Sequence, residues 1–234
     1  MAAPSPLVEL LRSRYSVRKF LPTPMAVSEI RGVLADAQTA PSNSNTQPWH
    51  VHVASGAARD AISTGMLGDY EADRTSPDFT SGYGDGVHAE RAHGHGASLY
   101  GAWGIARSDV EGRNDVIRDN LRFYGAPHVA FLFMPILGDG VRTAGDIGMY
   151  AQTFLLSLTA RGFHGVPQTL LGMYADVVRD VLGVPDHLKL LFGISFGTAD
   201  STAAINDLRM RRLPLEESVV LHDAPVSAAT HLRR

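Results

Sequence analysis

Ala40-Pro41-Ser42-Asn43-Ser44-Asn45-Thr46-Gln47-Pro48-Trp49 separates a helical pattern from an alternating one. The stretch itself is a loop. Prolines bracket it, the residue before a proline avoids helix, and short amide and hydroxyl side chains favour turns. Upstream, Ile30, Val33, Leu34 and Ala37 recur at helical spacing, with Ser28 placed to cap the first turn. Downstream, Trp49 to Ala54 alternates, which predicts a strand with Val51 and Val53 on one face.

The same two periods carry outward along the chain. Leu7, Leu10 and Leu11 predict a short helix over 6–13. Helices are expected over 57–66 and 109–124. A helix over 146–161 places Ile147, Tyr150, Ala151, Phe154, Leu155 and Leu158 on one face, with Gly162 in the C-terminal cap position. Another over 175–182 stops at Gly183 and Pro185. His128–Met134 and Lys189–Phe196 are almost wholly apolar and predict two buried strands. From Gly65 to Gly104 the periodicity fades and nine glycines accumulate. That segment reads as a lid over a site or as a variable insertion. Past Pro214 no core face remains. The order of elements is α+β, with one domain over 1–213 and a C-terminal arm over 214–234.

Composition narrows the function. The 234 residues carry 21 Lys and Arg against 24 Asp and Glu, a net charge of −3. No basic excess recommends a nucleic-acid partner. Cysteine is absent, which removes disulfides, thiolate nucleophiles and Cys-based zinc sites. No apolar run approaches the roughly 18 residues of a membrane span, and no basic segment precedes the first apolar run as in a secretory signal. A cytoplasmic protein is expected.

Several motifs compete for the chemistry. Gly193-Ile194-Ser195-Phe196-Gly197 fits the nucleophile-elbow pattern, with Asp200, Asp207 or Asp223 and then His222 or His231 as formal partners. Only 37 residues follow Gly197, so there is little room for the strands such a site needs. The other reading puts Ser195 inside a buried strand. His93-Gly94-His95, near His88 and Glu90, lacks the helical spacing of a zinc motif and reads as a solvated loop, so no metal is expected. Neither a dinucleotide fingerprint nor a Walker sequence occurs. Two basic clusters remain, Arg12-Ser13-Arg14-Tyr15-Ser16-Val17-Arg18-Lys19 and Arg209-Met210-Arg211-Arg212. The first sets four cations and two serine hydroxyls in eight residues, which suits a phosphate. The loop from Pro41 to Gln47 offers donors and acceptors suited to the polar edge of a heterocycle.

Taken in order, these pieces resemble the nitroreductase family. Arg14-Tyr15-Ser16-Val17-Arg18 resembles its R-x-S-x-R/K opening. Pro41–Trp49 resembles its P-S-x-x-N-x-Q-P-W loop. Phe123-Tyr124-Gly125-Ala126-Pro127 resembles its F-F-G-A-P, and Asp146-Ile147-Gly148 begins a helix like its D-x-G helix. Asn206, Arg209 and Arg212 resemble its N-x-x-R-x-x-R ending. The resemblance spans nearly the whole chain and is greatest to the branch that reduces nitro- and dinitroaromatics.

It implies a mixed, mostly antiparallel sheet flanked by helices, an intertwined homodimer, and FMN at each subunit interface. It also implies NADPH or NADH as reductant and ping-pong reduction of a nitro group to nitroso and hydroxylamine products. Arg14 and Ser16 would hold the FMN phosphate and ribityl chain, with Arg212 and Arg209 closing on the phosphate. Arg18 would approach the flavin N1/O2 edge. Pro41, Ser42 and Asn43 would come from the other subunit, with Asn45 and Gln47 supporting that loop or touching the flavin or substrate. Backbone N–H groups of Gln168-Thr169-Leu170 would face N5, although Thr169 and Leu170 depart from the family's usual E-G. Ser44, Phe79, Tyr100 and Trp103 are substrate-side candidates. The scheme requires no catalytic side chain. Quinone or flavin reduction and reductive dehalogenation are alternatives on the same scaffold, and a hydrolase at Ser195 is a distant one.

Overall fold

A computed structural model describes residues 5–223. Its centre is a four-stranded sheet in the order β1-β2-β4-β3, made of β1 (His50–Ser55), β2 (His128–Pro135), β3 (His164–Gln168) and β4 (Leu188–Gly197). Every pairing within it is antiparallel. Parallel contacts occur only as isolated bridges, Ser16 with Gly165 and Ser76 with Tyr174. The first of these brings the segment after α1 alongside β3.

Seven α-helices surround the sheet: α1 (Pro6–Ser13), α2 (Val27–Ala37), α3 (Gly56–Glu71), α4 (Val87–Ala102), α5 (Val110–Leu121), α6 (Val141–Ala160) and α7 (Ala175–Leu182). The sheet separates two apolar layers. One gathers Phe123, Phe131, Phe133, Leu171 and Val178 under α3, α5 and α7. The other gathers Trp49, Leu132, Tyr150, Phe154, Leu158 and Phe196 under α2 and α6. Strand β2 serves both layers, and all but its last residue are buried. That is why its sequence is continuously apolar rather than alternating.

Several expectations need correction. Helix α2 is capped at Ala26 without a side-chain bond, so Ser28 lies inside its first turn and is not the cap. Helix α6 starts at Val141, well before Asp146, after Gly140 in a left-handed conformation. Strand β3 was not foreseen, because His164-Gly165-Val166-Pro167-Gln168 has a glycine and a proline in five residues. Proline is tolerated there because β3 lies at the sheet edge.

The glycine-rich segment is largely helical. Helix α3 runs on to Glu71, and Gly65 lets it approach α7: a Cβ there would come within 2.7 Å of Val177. His93 and His95 sit in α4, not in a solvated loop. That helix holds three internal glycines and no buried residue, so neither propensity nor an apolar stripe announces it. It is tethered by polar contacts instead: His95 to Arg18, and Arg91 to Glu217 at 3.7 Å. Of the expected arm, 214–223 contains one short turn at Leu215–Glu217, and 224–234 lies outside the described residues.

One buried histidine ties the layers together. His128 is 3% exposed. Its Nε2 accepts the Met25 N–H at 2.9 Å, which leaves Nδ1 to donate to the Ser55 hydroxyl. Burial, and secondarily Arg59, push its pKa down. Its proton is therefore bound more tightly in the unfolded chain. The stabilisation is complete above about pH 6.5 and is lost as the pH falls through the lower folded-state value. His52, His95 and His164 shift in the same direction. The urea midpoint is expected to fall between pH 7 and pH 5, with a shallower slope in His128→Gln. A midpoint constant across that range would contradict the assignment.

Candidate functional site

The two basic clusters, almost 200 residues apart in sequence, are joined by one residue. Asn206 is 4% exposed. Its Oδ1 accepts the Arg18 backbone N–H at 2.8 Å, and its Nδ2 donates to the carbonyls of Lys19 and Asp200 at 2.8 and 2.9 Å. Its own carbonyl accepts a bond from Arg209 at 2.6 Å. The Arg209 guanidinium lies over the Tyr15 ring, 3.5 Å from its centroid. Such a stack fixes a cation without neutralising it. Sequence reading placed Asn206 in a motif but gave it no role.

The resulting field is positive. Among the described residues, none of Arg14, Arg18, Arg209 and Arg212 forms an ion pair with a carboxylate, whereas Arg118 on the outer surface engages three. Three neighbouring groups register the excess. Burial, and then Arg212, lowers the pKa of Arg14. Burial, and then Arg18, lowers that of His95. Burial, and then Arg209, lowers that of His164. Arg14, half-buried beside Arg212 and without a carboxylate partner, is costly to hold charged unless an anion completes the site. The Arg18 head group is already oriented. It donates to the Ser16 carbonyl at 3.4 Å and lies 3.5 Å from Nε2 of His95.

The amide-rich loop stands on a different support. Both carboxylate oxygens of Asp146, 4% exposed on α6, accept the Asn43 N–H, at 3.0 and 3.2 Å. The Ser42 hydroxyl accepts the Gln47 N–H at 2.9 Å, and Gln47 Nε2 donates to the Asn45 carbonyl at 3.2 Å. Ser44, Asn45 and Gln47 all have positive φ, at 50°, 57° and 47°. Three non-glycine residues in that region within four positions are strained, and such strain concentrates at functional loops. The side chains nevertheless remain exposed. Within one chain no hydrogen bond joins this loop to the arginines.

The turn after β3 shows alternate facing. Gln168 is buried. Its Nε2 donates to the Asn120 carbonyl and side chain, each at 2.9 Å, and its Oε1 accepts the Ser195 hydroxyl. The Gln168 side chain is thereby committed to the core, while Thr169 is exposed. The substrate-side candidates separate. Phe79 lines a cavity of about 320 Å³ with Thr169, Gly172, Met173, Leu190 and Leu191. Tyr100 lines another, of about 730 Å³, on α4. Trp103 stacks on Tyr124 at 6.1 Å and belongs to the core margin.

The elbow reading of Ser195 does not survive. The residue is fully buried inside β4, opposite Val129 and Val166, and its hydroxyl is used by Gln168. No described histidine or aspartate bonds to it, and His231 lies outside the described residues. Among the described residues no cluster of three or more His, Asp or Glu could hold a metal ion.

A helix-flanked antiparallel sheet with an arginine cluster unpaired among the described residues at its edge defines an α+β protein whose chemistry suits an anionic ligand. The comparisons give its family. The Nitroreductase family model matches residues 11–198. The chain is 47% identical over 211 residues to nitroreductase NfnB of Mycolicibacterium smegmatis, covering 89% of each chain. It is 35% identical over 206 residues to the 4-nitrobenzoate reductase of Pseudomonas putida, covering 87% of this chain and 89% of that protein. The crystal structure of FMN-dependent NfnB from Mycobacterium smegmatis in complex with NADPH superposes with a TM-score of 0.89 at 45% identity, over 92% of this chain and 97% of that one. The chain belongs to the nitroreductase family and is an oxidoreductase. An activated-serine probe such as a fluorophosphonate is expected to leave the folded protein unlabelled by mass spectrometry; an adduct on Ser195 would reopen the hydrolase reading.

Proposed function

We propose that the protein is an FMN-dependent nitroreductase that uses NADPH to reduce nitroaromatic compounds. The observation that carries this reading is the set of four arginines without carboxylate partners among the described residues, two of them, Arg18 and Arg209, held by Asn206. It fits the phosphate of FMN. Arg14, Arg209 and Arg212 supply charge and forked donors, and Ser16 adds a hydroxyl. The close relatives support the cofactor and the reductant: one is FMN-dependent with NADPH bound, and another reduces 4-nitrobenzoate.

Bound FMN would supply the two-electron relay between the nicotinamide and the nitro group. The chain's own contribution is electrostatic. Arg18 is held by its backbone through Asn206 and by its head group between Ser16 and His95. A cation fixed in advance stabilises negative charge developing on the isoalloxazine edge without reorganising. The backbone N–H groups at exposed Thr169 and half-buried Leu170 would face N5, while Gln168 anchors that turn from inside. No side chain is required to transfer a proton, because water can protonate the nitro oxygens.

The working unit in this proposal is a homodimer in which Pro41, Ser42, Asn43, Ser44, Asn45 and Gln47 of one chain complete the site of the other. Two features support it. The loop is anchored on Asp146, apart from the arginines of its own chain. Apolar groups also stand open, with Leu7 60% exposed on α1 and Leu221 88% exposed in the arm. The arm over 214–234 would cover the partner. No helix among the described residues is long and apolar enough to cross a membrane, and dependence on NADPH suits a cytoplasmic enzyme.

Purified protein is expected to show flavin absorption bands that bleach with NADPH in the absence of oxygen. A colourless protein that also fails to take up added FMN would overturn the reading. Replacing Arg14 or Arg212 by Ala should weaken FMN binding about 10- to 100-fold, the worth of a charged hydrogen bond. Arg18→Ala should slow bleaching or weaken FMN binding, and wild-type values for both would remove Arg18 from its role. Light scattering should give twice the 25.2 kDa chain mass; a monomer at micromolar concentration would contradict the shared site.

A further inference from the structure

Asp78 lies in the connection between α3 and α4, yet its side chain is buried. Its side chain and that of Arg179 on α7 are each 8% exposed. Oδ2 of Asp78 receives both the Arg179 guanidinium and the Leu190 backbone N–H, the latter at 2.8 Å. Oδ1 lies 3.4 Å from the Lys189 ammonium. Arg179 also donates to Asp176 at 3.0 Å and to the Leu188 carbonyl at 3.2 Å. One carboxylate thus clamps the connection to α7 and to β4 together. Two residues earlier, Ser76 is fixed as well: its N–H donates to the Met173 carbonyl at 2.8 Å, and its hydroxyl accepts the Asp176 N–H at 3.1 Å.

The residues that follow are the ones that matter for a ligand. Phe79, Thr80, Ser81, Gly82 and Tyr83 form one wall of the cavity of about 320 Å³, and Thr169 stands in the facing wall. Phe79 packs onto the core, whereas Tyr83 is 72% exposed at the rim. The wall holds little core of its own, so its position depends on the clamp. A buried ion pair adds little stability compared with apolar residues of the same size. What this pair supplies is a single docking geometry for the loop.

We propose that Asp78 is a positioning residue for the reductase: through Arg179 and the Leu190 N–H it fixes Phe79–Tyr83 as the wall of the cavity beside Thr169, and that cavity seats the aromatic acceptor. This rests on the flavin nitroreductase reading. Asp78 touches neither cofactor nor substrate and acts through the wall. An acceptor that needs seating feels a displaced wall, and one that takes electrons without seating does not.

The test compares nitrobenzene with ferricyanide as acceptors for the FMN-loaded enzyme at saturating NADPH. Asp78→Asn is expected to raise KM for nitrobenzene about tenfold. Flavin content, NADPH-driven bleaching and the ferricyanide rate should stay within about twofold of wild type. An unchanged nitrobenzene KM in a folded variant overturns the proposal. So does a parallel fall with both acceptors, which would mark a general support of the flavin site. Should Asp78→Asn be insoluble, the double variant Asp78→Asn/Arg179→Met leaves no uncompensated buried charge and decides by the same comparison. Failure of both to fold makes Asp78 a folding residue and also overturns the proposal. A wild-type protein that never bleaches refutes the underlying flavin reading, whatever the variants do.

Discussion

The Asn206 side chain holds together what the rest of the site requires. It bonds to the backbone at Arg18, Lys19 and Asp200, and the backbone carbonyl of the same residue accepts from Arg209. A carboxamide suits this position because it offers an acceptor and two donors without charge. A carboxylate there would neutralise the arginines; an apolar residue would leave buried backbone groups unpaired. The unbalanced positive field of the cluster therefore depends on a neutral residue at its centre. Arg14, His95 and His164 all show the same strain, each with its protonated form disfavoured by burial and by a neighbouring arginine. The folded chain carries an electrostatic cost that a bound anion would relieve.

The sheet explains why the cost falls where it does. Strand β3 is an edge, and the segment carrying Arg14 to Arg18 runs beside it through the Ser16–Gly165 bridge. A parallel neighbour of a single bridge covers only the start of β3. The far end, at Thr169, stays open, held from inside by the Gln168–Asn120–Ser195 network. Cation cluster and open backbone thus lie at two ends of one strand. The loop from Ser42 to Gln47 is stored elsewhere, strained and pinned on Asp146.

Much of this was legible. The strands at 128–134 and 189–196 lie within β2 and β4, the apolar stripe from Ile147 to Leu158 lies within α6, and the proline-bounded polar stretch is the loop it promised to be. Burial of a β-strand on both faces and amphipathic packing of a helix leave direct marks in residue order. What failed had no such mark. Helix α4 is glycine-rich and holds no fully buried residue, and its tethers are polar contacts to Arg18 and Glu217. Strand β3 breaks its own pattern with Gly165 and Pro167 and forms because β4 templates it. Ser195 sat in a pattern with two free positions, and burial alone disposed of it.

The sequence by itself determined the class of elements, the two buried strands and the stock of chemistry: arginines at both ends of the chain, an amide loop, no cysteine and no nucleotide-binding fingerprint. Its ordered motifs also sufficed to indicate the family. The tertiary structure alone decided which groups meet. Asn206 beside Arg18, Asp146 under Asn43, and Asp78 between Arg179 and Leu190 are contacts across about a hundred residues or more. Hydrogen bonds and ion pairs of that kind depend on where the backbone has been brought by packing. A polar side chain carries no periodic signal of its partner, whereas an apolar one announces the face on which it will be buried.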